Sequence, residues 1–179
     1  MTGYVLLLRG VNVGGRTKLA MADLRAVLED LGFGDVRTVL QSGNAVFTAD
    51  TEPDEREIQA ALAERTGLDT RCLVVTAPRL RAVVDGHPFR DIAHDGSRMV
   101  AIFLEADPDP AVAAAHDPVA LDPERIRVGD RVVYQWCPDG ISKAPPVVPF
   151  LDRRWKVVGT ARNWNTVTKL HDLVQRPTA

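Results

Sequence analysis

The order of hydrophobic patterns in the first 76 residues restricts the fold more than any other feature of the sequence. Apolar runs typical of strands occupy residues 4–9, 36–40, 45–48 and 71–75. Between them, apolar residues recur at helical spacing, first at Leu24, Val27, Leu28 and Leu31 and then at Ile58, Ala61 and Leu62. The order β-α-β-β-α-β predicts a split βαβ (ferredoxin-like) unit, with a four-stranded antiparallel sheet and both helices on one face.

The second part of the chain repeats this order loosely. Strand and helix patterns alternate there at residues 99–104 (strand), 109–116 (helix), 126–128 and 132–136 (hairpin), 147–155 (helix) and 163–174 (helix). A helix at residues 78–84 would connect the two parts. We therefore predict an α+β fold of two ferredoxin-like halves plus a C-terminal helix. Its boundaries would be 1–76 for the first half, 77–96 for the connecting helix and loop, and 97–179 for the second half.

Composition and charge exclude several classes of protein. The 179 residues are 45% hydrophobic and 26% charged with a net charge of -2, which predicts a folded core and argues against non-specific DNA coating. No apolar run approaches the roughly 18 residues of a spanning helix, and no signal peptide is visible, so we expect a cytoplasmic protein without a membrane partner. The two cysteines and four histidines form no ligand motif, which predicts neither metal nor cofactor. The sequence specifies no oligomeric state.

The first candidate site is a glycine-rich loop after the first strand. Gly10 to Thr17 nearly matches the P-loop pattern G-x-x-x-x-G-K-[ST], but Arg16 stands where the lysine belongs. The helical pattern starts only at Leu24, too late for a helix that caps a phosphate. Two interpretations stay open: a strand-to-helix loop whose glycines relieve backbone strain, or a nest of backbone N–H groups that binds an anion.

Two further polar groups accompany this loop. Gln41, Ser42 and Asn44 form a polar turn between two predicted strands. Near the C-terminus, Arg162 precedes a predicted helix for which Thr160, Asn163 and Asn165 are candidate caps. Such a helix start would suit a phosphate or carboxylate, and the alternative is capping beside a buried tryptophan.

Nothing in the sequence specifies catalytic residues. There is no G-x-S-x-G elbow and no motif of paired carboxylates. Ser142 and Lys143 are adjacent, and adjacent side chains rarely face each other as a nucleophile and its base must. Whether the protein is an enzyme therefore stays open at this point.

With these motifs in view, the chain closely resembles the bacterial family known as domain of unknown function 1697. The matching stretches are LLRGVNVGG (7–15), Lys18, MADLR (21–25), LGF (31–33), VRT (36–38), QSGNAVF (41–47), PDGI (138–141), SK (142–143) and GTARNWNTVTKL (159–170). The chain departs from the family around residues 140–144, where the family often has one more residue before Ser-Lys. The resemblance implies an α+β fold with two related halves and carries no assigned activity.

The motifs are rich in Arg, Asn, Gln and Gly, residue types that recognise anions and amide-like edges. We hypothesise that they form one cleft between the halves that binds a phosphorylated ligand, either a nucleotide-like small molecule or a short single-stranded RNA. The candidate ligand-binding residues are Arg9, Asn12, Gly14, Gly15, Lys18, Gln41, Ser42, Asn44, Arg162, Asn163, Asn165 and Lys169. For RNA, Phe47 and Phe103 would be the stacking residues. One alternative is an enzyme that acts on a phosphorylated or nucleotide substrate. The other is that the motifs are purely structural and that the protein functions by interacting with other proteins.

Overall fold

The structure is a computed structural model that describes residues 1–13 and 17–176. It divides into two units, the first comprising Met1–Arg81 and Lys169–Ala179 and the second Ala82–Thr168. Each unit contains one four-stranded antiparallel sheet with helices between the strands. The predicted α+β fold with two similar halves is therefore confirmed.

The sheet of the first unit is organised around its first strand. Its strands are β1 (Thr2–Leu8), β2 (Gly34–Val39), β3 (Asn44–Ala49) and β4 (Cys72–Thr76). The strand order is β2-β3-β1-β4, and all neighbours are antiparallel. Residues 4–8 of β1 are buried, as expected for a continuous apolar run flanked by a strand on each side.

Two helices cover one face of this sheet. Helix α1 (Met21–Asp30) buries Leu24, Val27 and Leu28, and α2 (Glu55–Thr66) buries Ile58 and Leu62. They form one core with Tyr4, Leu6 and Leu8 of β1. Helix α2 has a side-chain cap, since the Asp54 carboxylate accepts a hydrogen bond from the backbone N–H of Arg56, and it ends at the left-handed Gly67. Helix α1 begins after Ala20 without a side-chain cap.

The second unit repeats the same order of elements. After α3 (Ala77–Asp85) come β5 (Met99–Leu104), α4 (Pro110–Ala115), β6 (Ile126–Gly129), β7 (Val132–Trp136), α5 (Val147–Phe150), a π-helical turn (Leu151–Trp155) and β8 (Gly159–Asn163). The strand order β6-β7-β5-β8 reproduces that of the first unit element by element. The final helix, α6 (Trp164–Val174), follows β8 directly.

Strand β8 is the one strand that the hydrophobic patterns did not predict. Its sequence, GTARN, contains a single β-branched residue and no apolar alternation. It forms because β5, which is apolar throughout and buried, offers it an unpaired edge from Leu104 to Val100. Gly159 also permits close approach, since a Cβ there would lie 2.7 Å from Ile102 Cγ2. Tertiary pairing therefore overrides the weak local preference.

Backbone hydrogen bonds define equivalent positions in the two units. Leu8 is the last residue of β1, and its N–H donates to Gly43 O at 2.9 Å. Leu104 is the last residue of β5, and its N–H donates to Arg131 O at 3.0 Å. The next residue repeats the match, because Arg9 N–H donates to Arg71 O at 2.9 Å and Glu105 N–H to Val158 O at 3.1 Å. By this correspondence, Arg9 is equivalent to Glu105, Arg71 to Val158, and Gly43 to Arg131.

Among the residues that the structure describes, no helix combines the length and apolarity needed to cross a bilayer. Within the same residues, no three His, Cys, Asp or Glu side chains are grouped closely enough to hold a metal ion. Both cysteines are buried as free thiols, and burial raises the pKa of Cys72 to about 12 and that of Cys137 to about 11.

We expect Tyr134→Phe to change how stability depends on pH. Tyr134 is buried and donates a 2.7 Å hydrogen bond to Val83 O, and its burial raises the pKa of the phenol from 10.0 to about 12. The unfolded tyrosine therefore ionises first, and the free energy of unfolding falls as the pH rises from about 10 to about 12. The variant should lose about 1 kcal/mol at pH 7, where Val83 O is left unpaired, and show a shallower alkaline decline.

Urea denaturation of both proteins between pH 7 and pH 12 measures this difference. Cys72 and Cys137 are present in both proteins, so the difference between the two profiles isolates Tyr134. Two parallel profiles would contradict the prediction.

Candidate functional site

Two of the predicted motifs meet at one end of the first sheet. Strands β1 and β2 end there and β3 and β4 begin there, because neighbours in this sheet are antiparallel. We call this end the loop edge; it consists of residues 9–13 and 17–20 after β1, residues 40–43 between β2 and β3, and residues 67–71 before β4. Five of the candidate ligand residues lie in it, namely Arg9, Asn12, Lys18, Gln41 and Ser42; Asn44 is the first residue of β3, and Gly14 and Gly15 lie outside the described residues.

Asn12 closes the glycine-rich loop with its side chain. Its Oδ1 accepts the N–H of Leu19 at 2.9 Å, and its Nδ2 donates to Leu19 O at 3.0 Å. The second Nδ2 hydrogen is donated to Gln41 O, which joins this loop to the β2–β3 turn. Asn12 has φ 54, a left-handed conformation that asparagine tolerates better than most residues. The Asn12 amide thus holds the loop edge together.

The β2–β3 turn is held in a similar way. Asn44 is fully buried, and its Nδ2 donates to Val39 O at 2.9 Å and to Ser42 Oγ at 2.8 Å. Gly43 has φ 80, and a Cβ there would overlap Val11 Cγ2 and lie 2.9 Å from Leu8 Cβ. Only glycine fits where the turn packs on the β1 loop. Leu40, the first residue of the turn, is also left-handed, with φ 59.

Two arginines lie opposite each other at the loop edge. The Arg9–Arg71 hydrogen bond continues the β1–β4 register beyond the pair Leu8 and Cys72. Leu8 and Cys72 belong to the core beneath the helices, so alternation places Arg9 and Arg71 on the other face of the sheet. Arg9 is half-buried and Arg71 is exposed. Sequence reasoning missed Arg71, because only the strand register reveals that it faces Arg9.

Lys18 adds a third positive charge to this edge. It is exposed, and its neighbours on both sides are held by Asn12, whose N–H donates to Thr17 O at 2.6 Å and whose Oδ1 accepts from Leu19. Gln41 is also exposed and Ser42 is half-buried. The loop edge therefore combines three cations with polar side chains on a framework of defined hydrogen bonds.

The second unit shows that the fold does not require these arginines. At the equivalent positions it has Glu105 and Val158, and the Glu105 carboxylate accepts the N–H of Val158 at 3.3 Å. Its connections at this end are also shorter: residues 105–109 lead from β5 to α4, and residues 130–131 join β6 to β7. The longer loops and the arginine pair of the first unit are additions to a framework that forms without them.

The C-terminal motif lies mainly in the second unit, and its polar groups are largely engaged within the protein. Asn163 caps α6, since its Oδ1 accepts the N–H of Thr166 at 3.0 Å, and Trp164 N–H donates to Gly96 O at 3.0 Å. Asn165 packs against Gly96, where a Cβ would overlap its Oδ1. Two of the first three N–H groups of α6 are therefore already used, which favours the capping interpretation for Asn163.

Arg162 precedes α6 by two residues, and Lys169 lies in the middle of that helix. Arg162 is half-buried, its Nη1 donates to Ala161 O at 2.8 Å, and burial lowers the pKa of its guanidinium to about 10. It therefore remains positively charged at neutral pH. Lys169 is exposed on α6 and belongs to the first unit. The convergence of Arg162 and Asn163 with Arg9 on one cleft stays a prediction.

The two phenylalanines proposed as stacking residues, Phe47 and Phe103, are buried. Phe47 is 0% exposed and stacks on Phe33 at 4.7 Å between ring centroids, and Phe103 is 1% exposed. Trp164 is half-buried and packs on His87 at 4.3 Å. The two phenylalanines singled out as base-stacking candidates are therefore core residues.

Comparison with known proteins identifies the family. The family model described as "Protein of unknown function (DUF1697)" matches residues 1–134, three quarters of the chain. The chain belongs to the DUF1697 family. The match covers the entire loop edge and ends before the C-terminal motif. No curated protein matches the chain.

Among solved structures, this DUF1697 chain is similar to that of the conserved bacterial protein SP0830 from Streptococcus pneumoniae. The TM-score is 0.73 at 23% sequence identity, over 98% of this chain and 99% of that chain. At this identity the likeness shows the fold alone. The α+β fold therefore extends along both chains.

We expect Gly43→Ala to destabilise this DUF1697 protein more than Gly67→Ala. Both glycines have similar left-handed φ values, 80 and 73, but only Gly43 would place a Cβ against Val11 and Leu8, whereas nothing lies within 4 Å of a Cβ at Gly67. The left-handed conformation costs an alanine about 1–2 kcal/mol at either site, and overpacking adds about 1–3 kcal/mol at Gly43. Urea denaturation of the two variants measures the difference. Equal losses would show that the close packing of the two loops does not contribute.

Proposed function

We propose that the loop edge of the first unit binds the phosphoryl group of a phosphorylated ligand. Arg9 and Arg71 would hold the phosphate oxygens, and Lys18 would add a third positive charge. The observation that carries this proposal is the register of β1 and β4, which sets Arg9 and Arg71 opposite each other at the end of the sheet.

The chemistry of arginine supports a phosphate as the ligand. A guanidinium offers a planar fork of N–H donors that matches the oxygens of a phosphate, and charge-assisted hydrogen bonds of this kind are about twice as strong as neutral ones. A dianion placed between two arginines from neighbouring strands can accept hydrogen bonds from both of them. A phosphoryl group near neutral pH carries about -1.5 to -2, which suits two arginines and a lysine.

The second unit is an internal reference for this proposal. With the same strand order and the same backbone hydrogen bond, it has Glu105 and Val158 in place of the two arginines. A purely structural role would be expected to select similar residue types at both places. The contrast supports a role for Arg9 and Arg71 outside folding, whereas Asn12, Asn44 and Asn163 are engaged in hydrogen bonds that hold the fold.

Among phosphorylated ligands, a small molecule is better supported than RNA. Recognition of single-stranded RNA relies on bases stacked on aromatic side chains, and Phe47 and Phe103 are buried in the core. The proposal needs only the first unit; Gln41 and Ser42 would contribute polar contacts beside the phosphate. The free thiols Cys72 and Cys137 support the expectation of a reducing, cytoplasmic compartment.

We expect Arg9→Gln and Arg71→Gln each to weaken phosphate binding. Each substitution removes a charge-assisted hydrogen bond worth about 1.5–3 kcal/mol, so the dissociation constant should rise roughly 10- to 100-fold. Isothermal titration of the full chain with inorganic phosphate at low ionic strength measures the effect. The main-chain hydrogen bond between residues 9 and 71 is kept in both variants, so the fold should persist.

The matched control is Arg56→Gln. Arg56 is exposed in the first turn of α2, which begins at the opposite end of the sheet, and the substitution removes the same charge. The control should bind phosphate as the unaltered protein does. An equal loss in all three variants would reduce the effect to net charge, and the absence of any phosphate binding by the unaltered protein would overturn the proposal.

A further inference from the structure

Two apolar side chains stand exposed at the loop edge, beside its cations. Val13 is 67% exposed in the glycine-rich loop, and Leu40 is 50% exposed in the β2–β3 turn. The hydrogen bond from Asn12 Nδ2 to Gln41 O joins the residues next to them in the sequence, so the two loops meet at this point of the edge. Single exposed apolar residues are ordinary on protein surfaces, but two in the loops that carry the proposed phosphate site are not explained by folding.

Of these two residues, Leu40 gives the stronger reason to expect an apolar contact with a ligand. Its φ of 59 is a left-handed conformation that is unfavourable for leucine and that glycine or asparagine adopts far more readily. Half of the residue is nevertheless exposed, so burial offsets only part of that cost. The equivalent turn of the second unit is formed by the polar residues Asp130 and Arg131, the latter with φ 52. Neither backbone geometry nor core packing calls for an apolar residue at this position.

We infer that the ligand of the loop edge is a phosphate monoester with an apolar substituent, which packs on Val13 and Leu40 while its phosphoryl group binds Arg9 and Arg71. This inference rests on the proposed phosphate site and adds the chemical class of the group attached to it. A ligand of this kind brings charge to the arginine pair and covers apolar surface that the folded chain leaves in water. The substituent could be an alkyl chain or a nucleobase, which share the apolar face that the two side chains recognise.

The test compares four phosphates by isothermal titration of the full chain: inorganic phosphate, glycerol phosphate, hexyl phosphate and adenosine monophosphate. We expect hexyl phosphate, adenosine monophosphate or both to bind at least about fivefold more tightly than glycerol phosphate, whose substituent is polar. A preference for hexyl phosphate identifies an alkyl group as the substituent, and a preference for adenosine monophosphate identifies a nucleobase.

Leu40→Asn should abolish this preference and leave inorganic phosphate binding unchanged. Asparagine adopts the left-handed conformation readily, so the variant should fold, and Val13→Ser provides a second, independent variant at the other contact. The matched control is Ile141→Asn, which removes a side chain of equal exposure, 52%, from the second unit. The control should retain the full preference.

The outcomes separate the two proposals. If inorganic phosphate binds but all three esters bind equally, or if Leu40→Asn weakens inorganic phosphate as much as the apolar esters, the apolar contact is refuted and the phosphate site stands. If none of the four compounds binds, the phosphate site itself is refuted.

Discussion

The pairing of β1 with both of its neighbours is the interaction on which the rest of the first unit depends. Residues 4–8 of β1 are buried and apolar, and in the observed register Tyr4, Leu6 and Leu8 face the helices. A slip of one residue would move every side chain to the opposite face. The same register sets Arg9 opposite Arg71 and brings Gly43 against Leu8. The burial of an apolar strand thus determines where the charges of the loop edge lie.

The duplicated topology separates what the fold requires from what it tolerates. Both units share the strand order and the two backbone hydrogen bonds that end the central strand, so these belong to the framework. The arginine pair, the long loop after β1 and the four-residue β2–β3 turn occur only in the first unit, and all three lie at the same end of its sheet. Because these differences lie at one end of a duplicated framework, they indicate a functional site more strongly than a polar motif considered alone.

Most of the fold could be predicted from periodicity, because a buried helix face or a buried strand requires apolar residues at a regular spacing in the sequence. Strand β8 has no such pattern, since its partner β5 supplies the apolar surface and the pairing edge. The site was harder to predict for a related reason. Residue type alone groups Asn12, Gln41 and Asn44 as candidates, but only the structure shows that the side-chain amides of Asn12 and Asn44 are hydrogen-bonded to backbone groups. Arg71 becomes a candidate binding residue only because it lies opposite Arg9, which is 62 positions away in the sequence. No local sequence pattern indicates that pairing.

The loop edge also concentrates features that lower stability. Leu40 and Asn12 both adopt left-handed conformations there, and Arg9 and Arg71 lie opposite each other in the strand register. For Asn12 the strain is offset by three side-chain hydrogen bonds, which gives it a structural reason. Leu40 is half exposed, so burial offsets only part of its strain. Most substitutions that relieve backbone strain stabilise a protein. A strained residue that the fold does not require is therefore best explained by contact with a ligand. A ligand that is anionic at one end and apolar at the other satisfies both features together, and this is why the charge pair and the exposed leucine are more informative jointly than either is separately.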